Sequence, residues 1–408
     1  MTFEEWLSEE PTRSAIDEDS LRNLVIADLE LMSSMDVKEY TLFQKWSEIQ
    51  DKFPTEVVNQ LFDEPKTFLK DPTQQRLINK IKSNIWIPES PEDYQNLQPE
   101  LIFCNENSKT WNYIRVFISN MKNNSNIGRN LNFIVRDKPT KKYLGVICIS
   151  SDFMDLTARD SYIGWSRDHK TYSGKLNNLA ICSTIVPIQP LGYNYVGGKL
   201  LSLLCLSDIV QETWKEQYGD TLVGLTTTSL YGNTKSQGLS QYDNLKFWKK
   251  LGYSNGSISY EPSSSTLKLM FDWLRINHPK EYYRFFVAKN EKGQPLMRQP
   301  KSRGMSVAFN KLNIPKELIT TNHARGIYFA ELYDNTKGFL NGSEEKLIKS
   351  FDTSIESLVN IWKTKYAKQR IQSLIKKDLV LEETLFYDDL IFLTWEETKE
   401  RYLGQVGR

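Results

Sequence analysis

Histidine is scarce in this chain. Three residues, His169, His278 and His323, are scattered along 408 positions, too few and too far apart for a His-rich metal site, so no metal is expected. Cysteine is nearly as sparse. Cys104, Cys148, Cys182 and Cys205 form no CxxC pair, which argues against zinc or dithiol chemistry and fits a reducing cytoplasm. No run of about 18 apolar residues occurs, so neither a membrane span nor a membrane partner is expected. The opening Met1-Thr2-Phe3-Glu4-Glu5-Trp6 has no positive n-region and no apolar h-region, unlike a secretory signal. HExxH and Ser-His-Asp patterns are missing, and Gly197-Gly198-Lys199-Leu200 falls short of a P-loop. Tyr193 stands where the upstream glycine belongs, and Leu200 replaces the Ser/Thr. Nucleotide hydrolysis is therefore not expected. Net charge is almost absent too: 52 Lys+Arg against 51 Asp+Glu, which excludes a histone-like polybasic protein.

What is present is ordinary globular composition, 39% hydrophobic and 25% charged, with 10 Trp, 20 Tyr and 19 Phe for cores or for stacking. The length suggests about two to four domains. The neutral total hides an asymmetry. Residues 1–60 carry 14 acidic and 5 basic side chains, so the remainder is net +10. Residues 261–305 hold nine Lys/Arg against four acids, and residues 361–377 hold six and none. Such clusters suit a phosphate-backbone partner such as DNA, or else form solvated faces. The acidic start is open to two readings, ordinary helices or a cover for a basic groove.

Hydrophobic periodicity predicts helices within 15–63, with Ser20 as an N-cap. Residues 85–100 contain Pro88, Pro91 and Pro99 and read as a linker. Strands are expected at 132–136 and 143–150, joined by the turn Asp137-Lys138-Pro139-Thr140, and again at 176–186 and 221–228. A long helix is expected from the Gly197-Gly198 region to about Gln217, and a short one over 244–253. Residues 361–377 read as a helix with basic residues between aromatics.

The order hairpin, strand, glycine-bearing turn, long helix, strand, short helix over 131–253 resembles the GCN5-related N-acetyltransferase (GNAT) family. The turn Gln189-Pro190-Leu191-Gly192-Tyr193-Asn194 meets the first half of that family's pyrophosphate motif, and Phe247-Trp248-Lys249-Lys250-Leu251-Gly252-Tyr253 is similar to its closing segment. Trp248 occupies the place of a frequent general-acid Tyr, and Gln241 that of a frequent Asn. The resemblance implies an α/β (α+β) fold, a mixed sheet flanked by helices. It also implies a strand near 221–228 that splays from the strand at 178–186 to open a slot for acetyl-CoA or a related acyl donor. Ile163-Gly164-Trp165, Asn177-Asn178, Trp214 with Tyr218-Gly219, and the series Tyr231, Trp248, Leu251-Gly252-Tyr253 look like the Druantia-type anti-phage defence family and the Mom-like phage DNA-modifying proteins. The tail Arg325-Gly326-Ile327-Tyr328-Phe329 fits the same arrangement.

On this reading residues 1–84 are an acidic helical region and 85–130 a linker and entry to the core. Residues 131–260 are the GNAT-like core, 261–345 a basic α/β extension, and 346–408 a C-terminal helical region. The expected function is a phage-encoded, cytoplasmic transferase of anti-restriction type that places an acyl-derived group on DNA adenine. The alternatives are a catalytically inactive DNA-binding protein of the same fold, or a virion or assembly component. Candidate catalytic residues are Tyr231, Tyr242, Asp160, His169 and Ser183, since phenol, imidazole, carboxylate and hydroxyl groups move protons or orient an amine. The resemblance implies donor contacts at Ile185, Val186, Gly192, Tyr195, Gly197, Gly198 and Lys199, where a helix start offers N–H groups and its positive dipole end. Candidate nucleic-acid contacts are Trp165, Arg298, Lys301, Arg303, Arg325 and Tyr328, which combine basic and stacking side chains.

Overall fold

The structure is a computed structural model. It describes residues 2–12, 14–52, 72–104, 108–122, 128–230, 240–254, 260–291, 293–297, 300–320, 324–382 and 384–405. The chain forms two compact units, residues 1–40 with 256–323, and residues 41–255 with 324–408. Among the described residues no helix is long and apolar enough to cross a membrane.

The first unit is helical. Helix Glu18–Ser33 buries Leu21, Val25, Leu29 and Met32, the i, i+4, i+8, i+11 stripe that its sequence writes. Its N-cap is Asp17 rather than Ser20: the Asp17 carboxylate accepts the Ser20 N–H at 2.8 Å. Helices Ser264–Asn277 and Pro300–Lys311 complete the unit. The acidic start pairs in part with the basic stretch: Glu10 chelates Arg275, and Asp28 accepts the Ser263 N–H. Trp6 closes this contact, stacked on Tyr282 at 6.0 Å.

The second unit is built on one seven-stranded sheet: β1 (Pro99–Cys104), β2 (Asn130–Asp137), β3 (Tyr143–Ser151), β4 (Leu179–Pro187), β5 (Gly224–Ser229), β6 (Trp248–Tyr253) and β7 (Gly326–Glu331). Strand order is β1-β2-β3-β4-β5-β7-β6. All neighbours are antiparallel except β4 and β5. The β2–β3 hairpin turns on Asp137, whose carboxylate accepts both the N–H and the hydroxyl of Thr140 at 3.2 and 2.6 Å, the side-chain chemistry that makes Asp a turn residue. The buried runs Leu131–Val135 and Leu144–Ser150 show that helices cover both faces. The proline-bearing stretch before β1 is tied to the core. Trp86, Tyr94 and Leu97 are buried there, and the Trp86 N–H donates to Tyr143.

Two expected elements differ. The long helix after Gly197 is two helices, Gly197–Leu204 and Asp208–Tyr218. Leu203, Leu204, Cys205 and Leu206 are all fully buried, so the chain has no polar face with which to continue, and Ser207 takes the N-cap of the second helix in extended conformation. Residues 248–253 are strand β6, not a helix. Their i, i+3 apolar spacing imitates a helix, but the open edge of β7 pairs with them at five positions, and Trp and Tyr suit a pleated surface. Lys249 and Lys250 leave this edge strand charged.

Candidate functional site

The single parallel ladder is short. Leu179, Ala180 and Ile181 pair with Gly224, Leu225 and Thr226, and beyond them β4 and β5 part. At the point of parting a side chain replaces the ladder: the Thr227 hydroxyl donates to the Cys182 carbonyl at 3.0 Å. Thr227 Oγ1 also lies 3.3 Å from the Tyr242 hydroxyl, and the Gln241 amide donates to that hydroxyl at 2.9 Å. The other edge of β4 pairs with β3 throughout, with a register shift that sets Cys148 opposite Thr184 and Ile149 opposite Cys182. Ser183 is thus the extra residue of a β-bulge, a device that re-aims a side chain beside a site. It is the one exposed residue of β4. Between the parted strands lies a cavity of 1270 Å³, above the roughly 300–1,000 Å³ of ordinary small-molecule pockets.

The helix beginning at Gly197 borders this cavity. Val196, at φ 48°, turns the chain into it, no side chain caps its first turn, and the Lys199 N–H closes back on the Val196 carbonyl at 2.8 Å. Gly198 has a specific reason to be glycine: a Cβ there would fall 2.0 Å from Gln241 Oε1. Lys199 reaches across and donates to the carbonyls of Gln241 and Asp243 at 3.1 and 2.5 Å. Burial lowers the Lys199 ammonium to about 8, against the pull of Asp243. Asp243 in turn accepts the Tyr328 hydroxyl at 2.7 Å and the Ser240 N–H at 3.0 Å. The turn 240–244 is therefore fixed from the helix start and from β7 together. Burial pushes the Tyr242 phenol well up, outweighing the bonds from Thr227 and Gln241, so it keeps its proton at neutral pH and is a donor rather than a base.

The structure gathers Ser183, Ile185, Val186, Gly192, Gly198, Lys199, Tyr242 and Arg325 around the cavity. Other expected site residues lie elsewhere. Gly197 packs against Leu191, where a Cβ would meet Leu191 Cγ at 2.8 Å. Tyr195 is buried against Trp86 and Tyr94, its carbonyl taken by the Trp362 indole at 2.8 Å. Trp165 is 8% exposed and packs with Ile163, Leu179 and Phe329. Its indole donates to Leu340, so it is a core ring and not a stacking platform. Tyr328 is fully buried inside the sheet, where it cannot stack on a base. Its role is the bond to Asp243. His169 Nε2 lies 3.1 Å from the Leu340 carbonyl, away from the cavity lining. Lys301 and Arg303 are exposed on the helix Pro300–Lys311 of the first unit. Tyr231 and Arg298 lie outside the described residues.

Asp160 belongs to a buried ion cluster. Arg159, fully buried, binds Asp152 at 2.8 Å and Asp160 at 2.6 Å. Lys170, also buried, binds Asp160 at 2.5 Å. Asp152 accepts the Thr226 hydroxyl at 2.9 Å, so the cluster is fastened to the last residue of β5 that pairs with β4. A second cluster joins Lys45, Glu48 and Arg115, with Arg115 on the cavity wall. Burial drives the Lys45 ammonium down to about 7. Burial acts the other way on Glu48, yet Lys45 and Arg115 together hold its carboxyl down to about 2.

Sequence reasoning passed over Asp243 and Arg115 as site residues, since nothing in their local sequence marks them, and it took Lys365 and Arg370 as part of a basic cluster for a phosphate backbone without placing them beside the slot.

Comparison with known proteins agrees with the ordered residue series. The family model described as "Druantia protein DruA" matches residues 70–342. The Druantia protein DruA of Escherichia coli (strain UMEA 4076-1) is 27% identical over 231 residues, 53% of this chain and 54% of that protein. The match thus spans about half the length of the curated relative. No solved structure matches the chain significantly. The matched segment holds every strand of the sheet and both parted edges, and on that ground the chain belongs to the Druantia protein DruA family.

Proposed function

We propose that the second unit is a GNAT-like transferase, that its slot takes an acyl donor, and that its acceptor is an amine of a nucleic-acid base. The observation that supports this most is the parting of β4 from β5 after Ile181 and Thr226, which turns the edge of residues 182–187 toward a cavity instead of a partner strand. The residues there fit an anionic, extended donor. Six Lys/Arg line the cavity against Asp243 and Asp378. Residues 183–187, Gly192, Gly198 and Lys199 would hold the donor. When bound, acetyl-CoA or a related donor supplies an activated acyl group.

Tyr242 holds a proton on Oη, and Thr227 and Gln241 fix its direction. It is the group placed to give up that proton or to orient an incoming amine. Trp248 does not compete for this role, since its indole donates to the Ser202 carbonyl in the core. Lys199 and Asp243 hold the turn that carries Tyr242. Arg325 and Lys122 border the same cavity and suit a base carried in with its phosphates. A duplex base must leave its stack before its amine is accessible, and the size of the cavity favours that arrangement.

Mass spectrometry of nucleosides from DNA made with and without the protein tests this reading. A nucleoside of increased mass that depends on the protein is expected. Identical profiles, with the protein expressed and an acyl donor supplied, would contradict it.

A further inference from the structure

The C-terminal helical segment forms one wall of the cavity. Helix Ile355–Trp362 passes through a π-helical turn, Lys363–Ala367, into helix Lys368–Lys376. The inward apolar residues are Leu358, Trp362, Ala367, Ile371 and Leu374. The step from Trp362 to Ala367 is five residues, one more than an α-helical stripe allows. The π-turn absorbs the extra residue, as such turns do near functional sites. Its effect is to keep the stripe in the core while Lys365, Tyr366, Gln369 and Arg370 line the cavity.

This wall is fastened rather than loose. The Trp362 indole donates to Tyr195 at 2.8 Å, and Arg370 Nε donates to the Tyr193 carbonyl at 3.0 Å. Asn194 and Leu381 exchange two bonds at 2.7 and 2.8 Å. The Tyr366 hydroxyl accepts the Lys246 N–H at 2.8 Å, and its ring lies 5.3 Å from Lys199 Nζ. The family match ends at residue 342, so the wall is contributed by residues beyond it. Its charge matches its position. Lys365 is exposed, and among the described residues the one hydrogen bond found for Arg370 uses Nε, with the guanidinium 4.7 Å from the Tyr193 ring centre, so its two terminal nitrogens carry no hydrogen bond there.

Resting on the transferase reading, we infer that this wall selects the donor, with Lys365 and Arg370, beside Lys199, binding a phosphate group that a small-molecule donor carries. A guanidinium and two ammonium groups that line one cavity beside a helix start suit an anion of phosphate chemistry. Arg370 is half-buried in the cavity wall and tied to the Tyr193 carbonyl, with Lys365 at the rim, which favours a small molecule over a nucleic-acid backbone.

Calorimetric titration of the full chain with inorganic pyrophosphate provides the test, alongside a short single-stranded oligonucleotide and acetyl-CoA. Saturable pyrophosphate binding is expected. K365Q and R370Q should each weaken it by about tenfold, the scale of one charge-assisted contact, and K376Q, on the same helix but off the cavity, should leave it unchanged. K365Q removes an exposed side chain, so its result stands even if R370Q unfolds. No pyrophosphate binding by the intact chain, or equal binding by K365Q, would overturn the inference. So would a K365Q effect confined to the oligonucleotide. If acetyl-CoA binds the intact chain and K365Q equally well, the selecting wall is wrong and the transferase reading survives. If pyrophosphate binds through Lys365 while acetyl-CoA does not bind at all, the wall stands and the acyl-transfer reading fails.

Discussion

Replacing Arg159 with alanine is expected to cost about 3–5 kcal/mol of folding stability, the range for breaking a buried ion pair from one side. Arg159 is fully buried and neutralises Asp152 and Asp160 with separate arms of its guanidinium. Without it the Asp152 carboxylate is left in the interior with no cation, held by two neutral donors on one oxygen, the Thr226 hydroxyl and the Phe153 N–H. Asp160 keeps Lys170, so Asp152 bears most of the loss. R159K should recover little, because one ammonium cannot serve two carboxylates with a planar fork. Urea denaturation followed by tryptophan fluorescence measures the difference. A loss below about 1 kcal/mol, the size of a surface pair, would mean that the cluster is hydrated and does not pin β5.

The second large effect concerns Tyr242. On the proposed transferase function, Y242F should lower the rate of base modification by roughly 10²–10⁴-fold, the usual contribution of a positioned proton donor, while acyl-donor affinity changes little. The phenol is buried, keeps its proton and is oriented by Thr227 and Gln241, so phenylalanine keeps the packing against Trp248 and Tyr328 and removes the hydroxyl. Single-turnover labelling of DNA, paired with donor titration, separates the two quantities. An unchanged rate would remove Tyr242 from the chemistry. A fall in rate matched by an equal fall in donor affinity would make it a packing residue.

Much of the sheet was readable because its signals are local. The β2–β3 hairpin has apolar runs on either side of an Asp-Lys-Pro-Thr turn, and β4 and β5 are apolar or β-branched segments bounded by proline and glycine. Strand β6 was misread because Phe247, Trp248 and Leu251 are spaced as on a helix, and only the unpaired edge of β7 decides otherwise. The aromatic residues mark the same limit. Trp165 and Tyr328 have the composition of stacking residues, yet both are buried, and composition cannot separate a ring in a core from a ring on a surface. The ion cluster was equally hidden, because Asp152, Arg159, Asp160 and Lys170 look like separate loop charges until Thr226 is brought beside them. Of the site, the residues contiguous with β4 and the helix start were accessible from order and glycine placement. The helix at 361–377 was marked as basic, but its place in the wall was not legible, because it arrives from the far end of the chain.

The central claim is that the gap between β4 and β5 is a ligand slot. Ser183 offers the most direct access to it, as the bulged and exposed residue of β4 facing the cavity. Calorimetric titration of acetyl-CoA into the intact chain and into S183W should give saturable binding for the first and none for the second, with S183W still folded although it loses the Ser183 contacts to Ser150 and the Cys148 carbonyl. Binding of equal strength by both, or none by the intact chain, would contradict it.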